Sequence, residues 1–369
     1  SDAGCRRKNK EIPGRIWLFS KIKERLLEYF SSENTDQVPA LPEHVSSRVK
    51  TIFEDGTPEN TRKAYRKDLL YFKEWSRAIT DIDAVMPFQE PDIIKFITDH
   101  LMGLDPEVES VLMESGIKAK SGPHSISTIT RRIASISSAH EMRGLTNPCK
   151  SGEVRFLLSK ARRAAVNNGF RTTKKKAATL DILETMIKTC DDSIFGIRDR
   201  AVLLFAFASG GRRRSEVSSA CFEDLTRSDS TNNEGYSFII RRSKTDQEGK
   251  GFTVPIIGRA AKALADWLEI SEVAEGQIFR RLSKSGKVLR DFSDKAVARI
   301  VKKRAELAGL DPSIFSGHSL RSGFITEGGR QGKNISDIMA MSGHKTVGVA
   351  LSYYQAGNAL SNPAAGLAG

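Results

Sequence analysis

Between Ile197 and Gly210 the chain reads IRDRAVLLFAFASG, and from Ala201 to Ala208 it has no polar face. A helix that is apolar all round is stable in water only when other elements enclose it. This run therefore predicts the buried central helix of a domain assembled around it. Thr179 and Asp181 open an amphipathic helix just before it, with Leu180, Ile182, Leu183, Met186 and Ile187. Further helices are predicted over 260–268 and 293–308. The good strand candidates are YSFIIR at 236–241 and GFTVPII at 251–257, and SKTDQEGKG makes a hairpin tip between them.

The part before this domain reads as helix throughout. In the segment TPENTRKAYRKDLLYFKEWSRAI, Thr57 stands as N-cap and Pro58 at the first helical position, with an apolar stripe of Tyr65, Leu69, Phe72 and Trp75 or Ser76. A second helix follows Pro91. Ser125 starts a third, with Ile126, Ile129, Ile133 and Ile136 on one side. Its other positions (Ser127, Thr130, Arg131, Arg132, Ser135) are small, hydroxylated or basic, as a helix lying against a phosphate backbone requires. From Ile16 to Phe30 an amphipathic helix is also expected.

Charge points the same way. Lys and Arg number 58 against 45 acids, a net +13, and that surplus favours a polyanionic partner, nucleic acid before others. Between Arg155 and Ala178 there are eight cations and no acid, among them Arg162, Arg163, Lys174, Lys175 and Lys176. With Gly169 and the lysine triplet this stretch reads as a basic joint that adds salt-dependent DNA affinity. The expected organisation is an N-terminal extension and linker (1–43), a helical domain (44–166), a basic linker (167–178), a second, mixed domain (179–355) and a C-terminal tail (356–369). The four cysteines, Cys5, Cys149, Cys190 and Cys221, have neither zinc nor disulfide spacing. No metal or other cofactor is expected. No run approaches the ~18–20 apolar residues of a membrane span, and a cytoplasmic protein, associated with the nucleoid if bacterial, is expected.

Chemistry concentrates in the second domain. GRRRSEV follows the central helix; Lys244 and Lys250 sit in the hairpin; His318 and Arg321 form His-x-x-Arg; Gly343 and His344 follow; Tyr353 stands nine residues after His344, with Tyr354 beside it. On a helix, His318 and Arg321 at i and i+3 present one face to a common ligand. One fixed cation beside one titratable ring suits a phosphate. A tyrosine brought there has a phenol to attack it with, and helix phase decides between Tyr353 and Tyr354.

This series of motifs, over residues 179–355, resembles the catalytic signature of the tyrosine recombinases, the family of phage integrases, Xer proteins and Cre. The helical part before it is similar to the family's core-binding domain. The resemblance implies a mainly α fold: an all-helical core-binding domain plus a mixed, mostly helical catalytic domain with a small antiparallel sheet, together a C-shaped DNA clamp. By position, Arg213 and Glu216 match the first arginine and its acidic companion, Lys244 the hairpin lysine with Lys250 in reserve, and His318 and Arg321 the His-x-x-Arg pair. His344 matches the second histidine and Tyr353 the nucleophile. Arg212 and Arg214 are then expected on backbone phosphates.

The implied activity is site-specific recombination of double-stranded DNA through a covalent 3′-phosphotyrosine intermediate, serving integration, excision or resolution, as with mobile elements. The implied assembly is a homo-tetramer on two sites, with the C-terminal segment docked on a neighbouring protomer. Only 43 residues precede the helical domain, so a simple Cre- or Xer-like enzyme is expected. Two rivals stand beside this reading. A type IB topoisomerase would relax supercoils as a monomer, and a non-catalytic DNA-binding regulator would form no covalent adduct.

Overall fold

A computed structural model describes residues 48, 51–52, 55–169, 175–230, 233–241 and 251–357. The expected extension at 1–43, Lys174, Lys244, Lys250 and the hairpin tip lie outside the described residues, as does the tail from 358. The chain divides into two units, Ser1–Thr172 and Thr173–Gly369.

The first unit is helical. Helix α1 (Glu59–Thr80) starts one residue later than its sequence predicts: Pro58 is the N-cap, and no side chain caps the helix. Its buried stripe includes Leu69, Phe72 and Trp75, with Tyr71 and Asp68 beside them. Helix α2 spans Glu90–Met102, with Pro91 in its first turn. Helix α3 (Pro106–Glu114) was not anticipated, because only Leu112 of its nine residues is buried. Asp105 starts it by accepting the Glu107 N–H. Helix α4 (Ile126–Met142) is capped by Ser125 and buries Ile126, Ile129, Ile133 and Ile136.

The basic stretch departs from expectation. Residues Gly152–Asn167 form helix α5, so the cations from Arg155 to Arg163 belong to the expected helical domain (44–166) and not to the joint. Ser151 caps it by accepting the Val154 N–H, and Val154 and Leu158 enter the core while the cations take the outer faces. Charge count alone missed this two-residue apolar anchor.

In the second unit, helix α6 (Leu180–Ile187) precedes α7 (Ile194–Ala208), the predicted central helix. Ser193 caps α7, and Ala201, Val202, Leu203, Phe205 and Ala206 are wholly buried. Helix α8 (Arg214–Ser218) follows a glycine turn. Strands β1 (Leu225–Ser230), β2 (Asn233–Ile240) and β3 (Phe252–Ile257) form an antiparallel sheet in that order. The β2–β3 pairing runs from Gly235 opposite Ile257 to Ile240 opposite Phe252. The edge strand β1, LTRSDS, was missed because its sequence shows no apolar alternation and its pairing to β2 is by backbone.

Helix α9 (Gly258–Ser271) packs along α7 and buries Trp267, whose indole N–H donates to Ile278 O at 2.8 Å. A short hairpin, β4 (Arg281–Leu282) with β5 (Val288–Leu289), leads to α10 (Asp294–Leu307). Three helices close the unit: α11 (Gly317–Arg330), α12 (Ile335–Ser342) and α13 (Val347–Gly357), the last running past the expected start of the tail at 356. Among the described residues no helix is long and apolar enough to cross a membrane.

Candidate active site

The site forms where the turn after α7 meets α11, α12 and α13. Gly210 (φ 98°) and Gly211 (φ 70°) lie in the left-handed region, which glycine adopts without steric cost. They are also wedged. A Cβ on Gly211 would stand 2.6 Å from Arg321 Cα, and one on Gly210 would stand 2.1 Å from Met341 O. This close approach sets the arginines after the turn against α11.

Arg213 is the N-cap of α8, and Glu216, three residues on, holds it twice. One carboxylate oxygen accepts from Arg213 Nη1 at 2.7 Å and the other from its backbone N–H at 3.1 Å. Glu216 is buried, while the Arg213 side chain keeps 24% exposure, enough to meet a ligand. On α11, Ser316 caps the helix and starts the turn from which His318 and Arg321 project. Arg321 is only 2% exposed. Its Nη1 donates to Gly211 O at 3.0 Å, and its Nη2 lies 3.1 Å from His344 Nδ1. Helix α12 ends at Gly343 (φ 67°), which turns the chain so that His344 faces Arg321. Ser342 Oγ stands 2.7 Å from His344 Nδ1.

On α13, Tyr353 Oη is 3.5 Å from His318 Nε2. Tyr354 faces away, and its hydroxyl donates to Lys333 O at 2.8 Å. The helix can lie this close to α11 because of two glycines: a Cβ on Gly329 would be 2.2 Å from Tyr354 O, and one on Gly357 would be 2.0 Å from Thr326 O.

The electrostatics favour an anion. Burial, then the charge of Arg213, lowers the Arg321 pKa to about 9, so this guanidinium stays charged at neutral pH. Burial and the Arg321 and Arg213 charges bring His344 down to about 4. The packing around the His318 ring, then the same two charges, hold it below the ordinary imidazole value. The three guanidiniums of Arg212, Arg213 and Arg321 against the Glu216 carboxylate, beside two neutral imidazoles and a phenol, leave the site net positive. Such a site can bind a phosphodiester, accept a phenolic proton and donate hydrogen bonds to phosphate oxygens.

A profile of the phage integrase family matches residues 176–359. An integrase/recombinase XerD homologue of Selenomonas ruminantium is 31% identical over 332 residues, covering 86% of this chain and 87% of that protein. The chain belongs to the tyrosine recombinase family. The recombinase also shares its fold with solved structures. XerH bound to a palindromic difH substrate, in a post-cleavage complex, has a TM-score of 0.54 at 15% identity, covering 96% of this chain and 95% of that one. A lambda integrase tetramer bound to a Holliday junction has a TM-score of 0.50 at 15% identity, covering 95% and 88%. The recombinase is thus a tyrosine-type site-specific DNA recombinase, and neither a relaxing topoisomerase nor a non-catalytic regulator is favoured.

Among the residues expected to contact DNA, two need correction. Arg212 is 1% exposed, with Nη2 on Met341 O, so it has no free face for a phosphate. Arg132 is 7% exposed and stacks on the Tyr71 ring at 3.2 Å, because its helical phase points it into the first unit's core. Arg131, next in sequence, bonds Asp68 yet keeps half its side chain exposed. Arg162 and Arg163 are exposed on α5, with Arg162 Nη2 3.4 Å from Thr130 Oγ1 on α4. Lys175 donates to Ser313 O at 2.6 Å and Lys176 is exposed, its N–H bonded to Ile314 O. Arg214 is half-exposed, 3.6 Å from Asp294. Sequence reading missed Ser342 and Gly211 O, since a carbonyl carries no sequence signal and a serine before Gly-His is unremarkable alone.

Proposed function

We propose that this recombinase cleaves DNA through Tyr353. The Tyr353 oxygen attacks the scissile phosphorus, a Tyr–O–P bond forms, and the bond to the 5′ oxygen breaks. The phenolic proton passes to His318, and the departing 5′ oxygen takes a proton from Lys244. Arg213 and Arg321 hold the non-bridging oxygens, and guanidinium keeps its charge throughout the step. His344 donates from Nε2 to the same phosphate when Ser342 donates to its Nδ1. The ester's energy is retained, so a second 5′ hydroxyl reverses the reaction without metal or nucleotide.

One observation carries the reading: of two adjacent tyrosines, Tyr353 faces a neutral imidazole beside two guanidiniums, while Tyr354 is spent on a backbone carbonyl. The domain reading goes with it: residues 44–166 bind the core site, 167–178 link, and 179–355 cut and rejoin. Arg131, Arg162, Arg163, Arg214 and the lysines at 174–176 then meet backbone phosphates. The solved lambda integrase tetramer on a Holliday junction supports a tetramer acting on two sites.

The test uses the full chain and a duplex selected by it from a randomised library, resynthesised with a nick beside the cleavage point. A denaturation-resistant protein–DNA adduct on the 3′ phosphate is the expected product. Relaxation of supercoiled DNA lacking the selected site, without strand exchange, would overturn the reading.

A further inference from the structure

We propose that Arg212, which no part of the reaction above uses, is a positioning residue: it ties the turn carrying His344 to the Arg213–Glu216 pair and to the base of the β2–β3 strand pair. The inference rests on the reading of the site just given. Its starting point is an anomaly. A guanidinium 1% exposed forfeits its hydration, and an apolar side chain of similar volume would fill the space at lower cost. Arg212 is also poorly satisfied there, since its Nε is buried without a hydrogen-bond partner. Its stability contribution is therefore a weak reason for its presence, and what it joins is the stronger one.

It joins three things. Nη2 donates to Met341 O at 2.5 Å, in the last turn of α12, where helix carbonyls lack partners and a cation is favourable. The next three residues are Ser342, Gly343 and His344. Nη1 lies 3.7 Å from Glu216 Oε2, the oxygen that accepts the Arg213 backbone N–H. The guanidinium carbon sits 5.3 Å from the centroid of the Phe252 ring, and that ring also abuts Gly343, where a Cβ would fall 2.9 Å from its Cζ. Phe252 opens β3 and pairs with Ile240, so it closes the strand pair from which residues 242–250, Lys244 among them, extend.

One buried cation thus reaches the acid that holds the first arginine, the helix end that aims His344 and the aromatic ring at the root of the lysine segment. Shifting Arg212 would move His344 relative to Arg213. Misplacement by about 1 Å is enough to slow a positioned reaction about a hundredfold.

The experiment measures binding and single-turnover adduct formation by the full chain on the selected, nicked duplex, with R212M, R212K, H344A and R212M/H344A. R212M is expected to leave the Kd and its salt dependence unchanged while slowing adduct formation about ten- to a hundredfold. R212K, which restores a cation at the α12 terminus, is expected to recover part of that rate. H344A is expected to cost less in R212M than in the unaltered chain, because His344 is already displaced there. Equal H344A penalties in the two backgrounds would overturn the proposal. So would a salt slope about one unit shallower in R212M, the mark of a lost phosphate contact. If R212M does not fold at the assay temperature, F252L, which removes the ring between Arg212 and Gly343, enters the same cycle with the same criteria. An adduct that survives Y353F sinks the site reading itself. An adduct lost in Y353F with additive R212M and H344A effects sinks only the role of Arg212.

Discussion

Tyr353 Oη lies 3.5 Å from His318 Nε2, and the two rings meet edge to face at 6.1 Å between centroids. A phenol, with an ordinary pKa of about 10, is a weak nucleophile at neutral pH. The contact supplies an acceptor for its proton. The ring that accepts is kept neutral first by burial and then by the same guanidiniums that would hold the phosphate, so one arrangement prepares both base and electrophile.

The neighbouring tyrosines are expected to separate cleanly. Tyr353→Phe abolishes the denaturation-resistant adduct, since the attacking oxygen is gone. Tyr354→Phe keeps it and loses one hydrogen bond to Lys333 O, worth about 1 kcal/mol. Gel separation of adducts on the nicked duplex is the check; an adduct lost only in Tyr354→Phe reverses the assignment.

Helix α13 depends on the missing side chain at position 329. A methyl group there meets Tyr354 O at 2.2 Å, so Gly329→Ala must push the helix away from α11. The expected cost is about 1–3 kcal/mol of stability, as for overpacking elsewhere. Adduct formation should slow while DNA affinity holds. Retention of the full rate, with a thermal midpoint unchanged, would show that this contact does not seat Tyr353.

Acid should weaken the first unit. Tyr71 Oη lies 2.9 Å from His100 Nε2 and 3.0 Å from His124 Nε2, and His100 Nδ1 lies 2.7 Å from Phe96 O. That chain of bonds is complete with His100 neutral, accepting from the phenol and donating to the carbonyl. Burial lowers His100 to about 3 and His124 to about 4. In the unfolded chain both titrate near the ordinary value of about 6.5. Between the folded and unfolded values the unfolded state binds more protons. The stability contributed by the neutral rings is therefore full above about pH 6.5 and is lost as pH falls toward the folded values. Urea midpoints at pH 7 and pH 5 are expected to differ in that direction, and His100→Gln to reduce the difference. A pH-independent midpoint would contradict it.

A buried ion pair ties α10 to α7. Arg304 Nη2 is 2.8 Å from Asp199 Oδ2, with side-chain exposures of 4% and 1%, and Arg304 Nη1 donates to Thr189 O at 2.6 Å. Among the described residues, Arg304→Met leaves Asp199 with Arg198 as its charged partner, at 2.7 Å. Removing one member of a buried pair typically costs about 3–5 kcal/mol. Chemical denaturation of Arg304→Met measures it. A loss under 1 kcal/mol would mean that Arg198 alone compensates the carboxylate.

Periodicity and capping are local, so they were legible. The apolar run after Arg200, the isoleucine ladder of α4 and the serine that starts α4 identified helices without tertiary information. So did the order Arg-x-x-Glu, His-x-x-Arg, Gly-His and Tyr, which carried the family. Where a signal was sparse it failed: α5 hangs on Val154 and Leu158 amid cations, and β1 has no apolar alternation.

The sequence by itself determined which residue types this protein brings to DNA and in what order along the chain. Position in the motif series singled out Arg213 and Tyr353, but only the tertiary structure shows that Arg212 is buried while Arg213 keeps partial exposure, and that Tyr353 lies against His318 while Tyr354 turns away. The reason is physical: identical side chains one residue apart differ only in the direction that packing assigns them. Arg213 is held by the Glu216 carboxylate, which the sequence displays, but Arg212 and Tyr354 are held by the carbonyls of Met341 and Lys333, groups that every residue possesses and no sequence distinguishes.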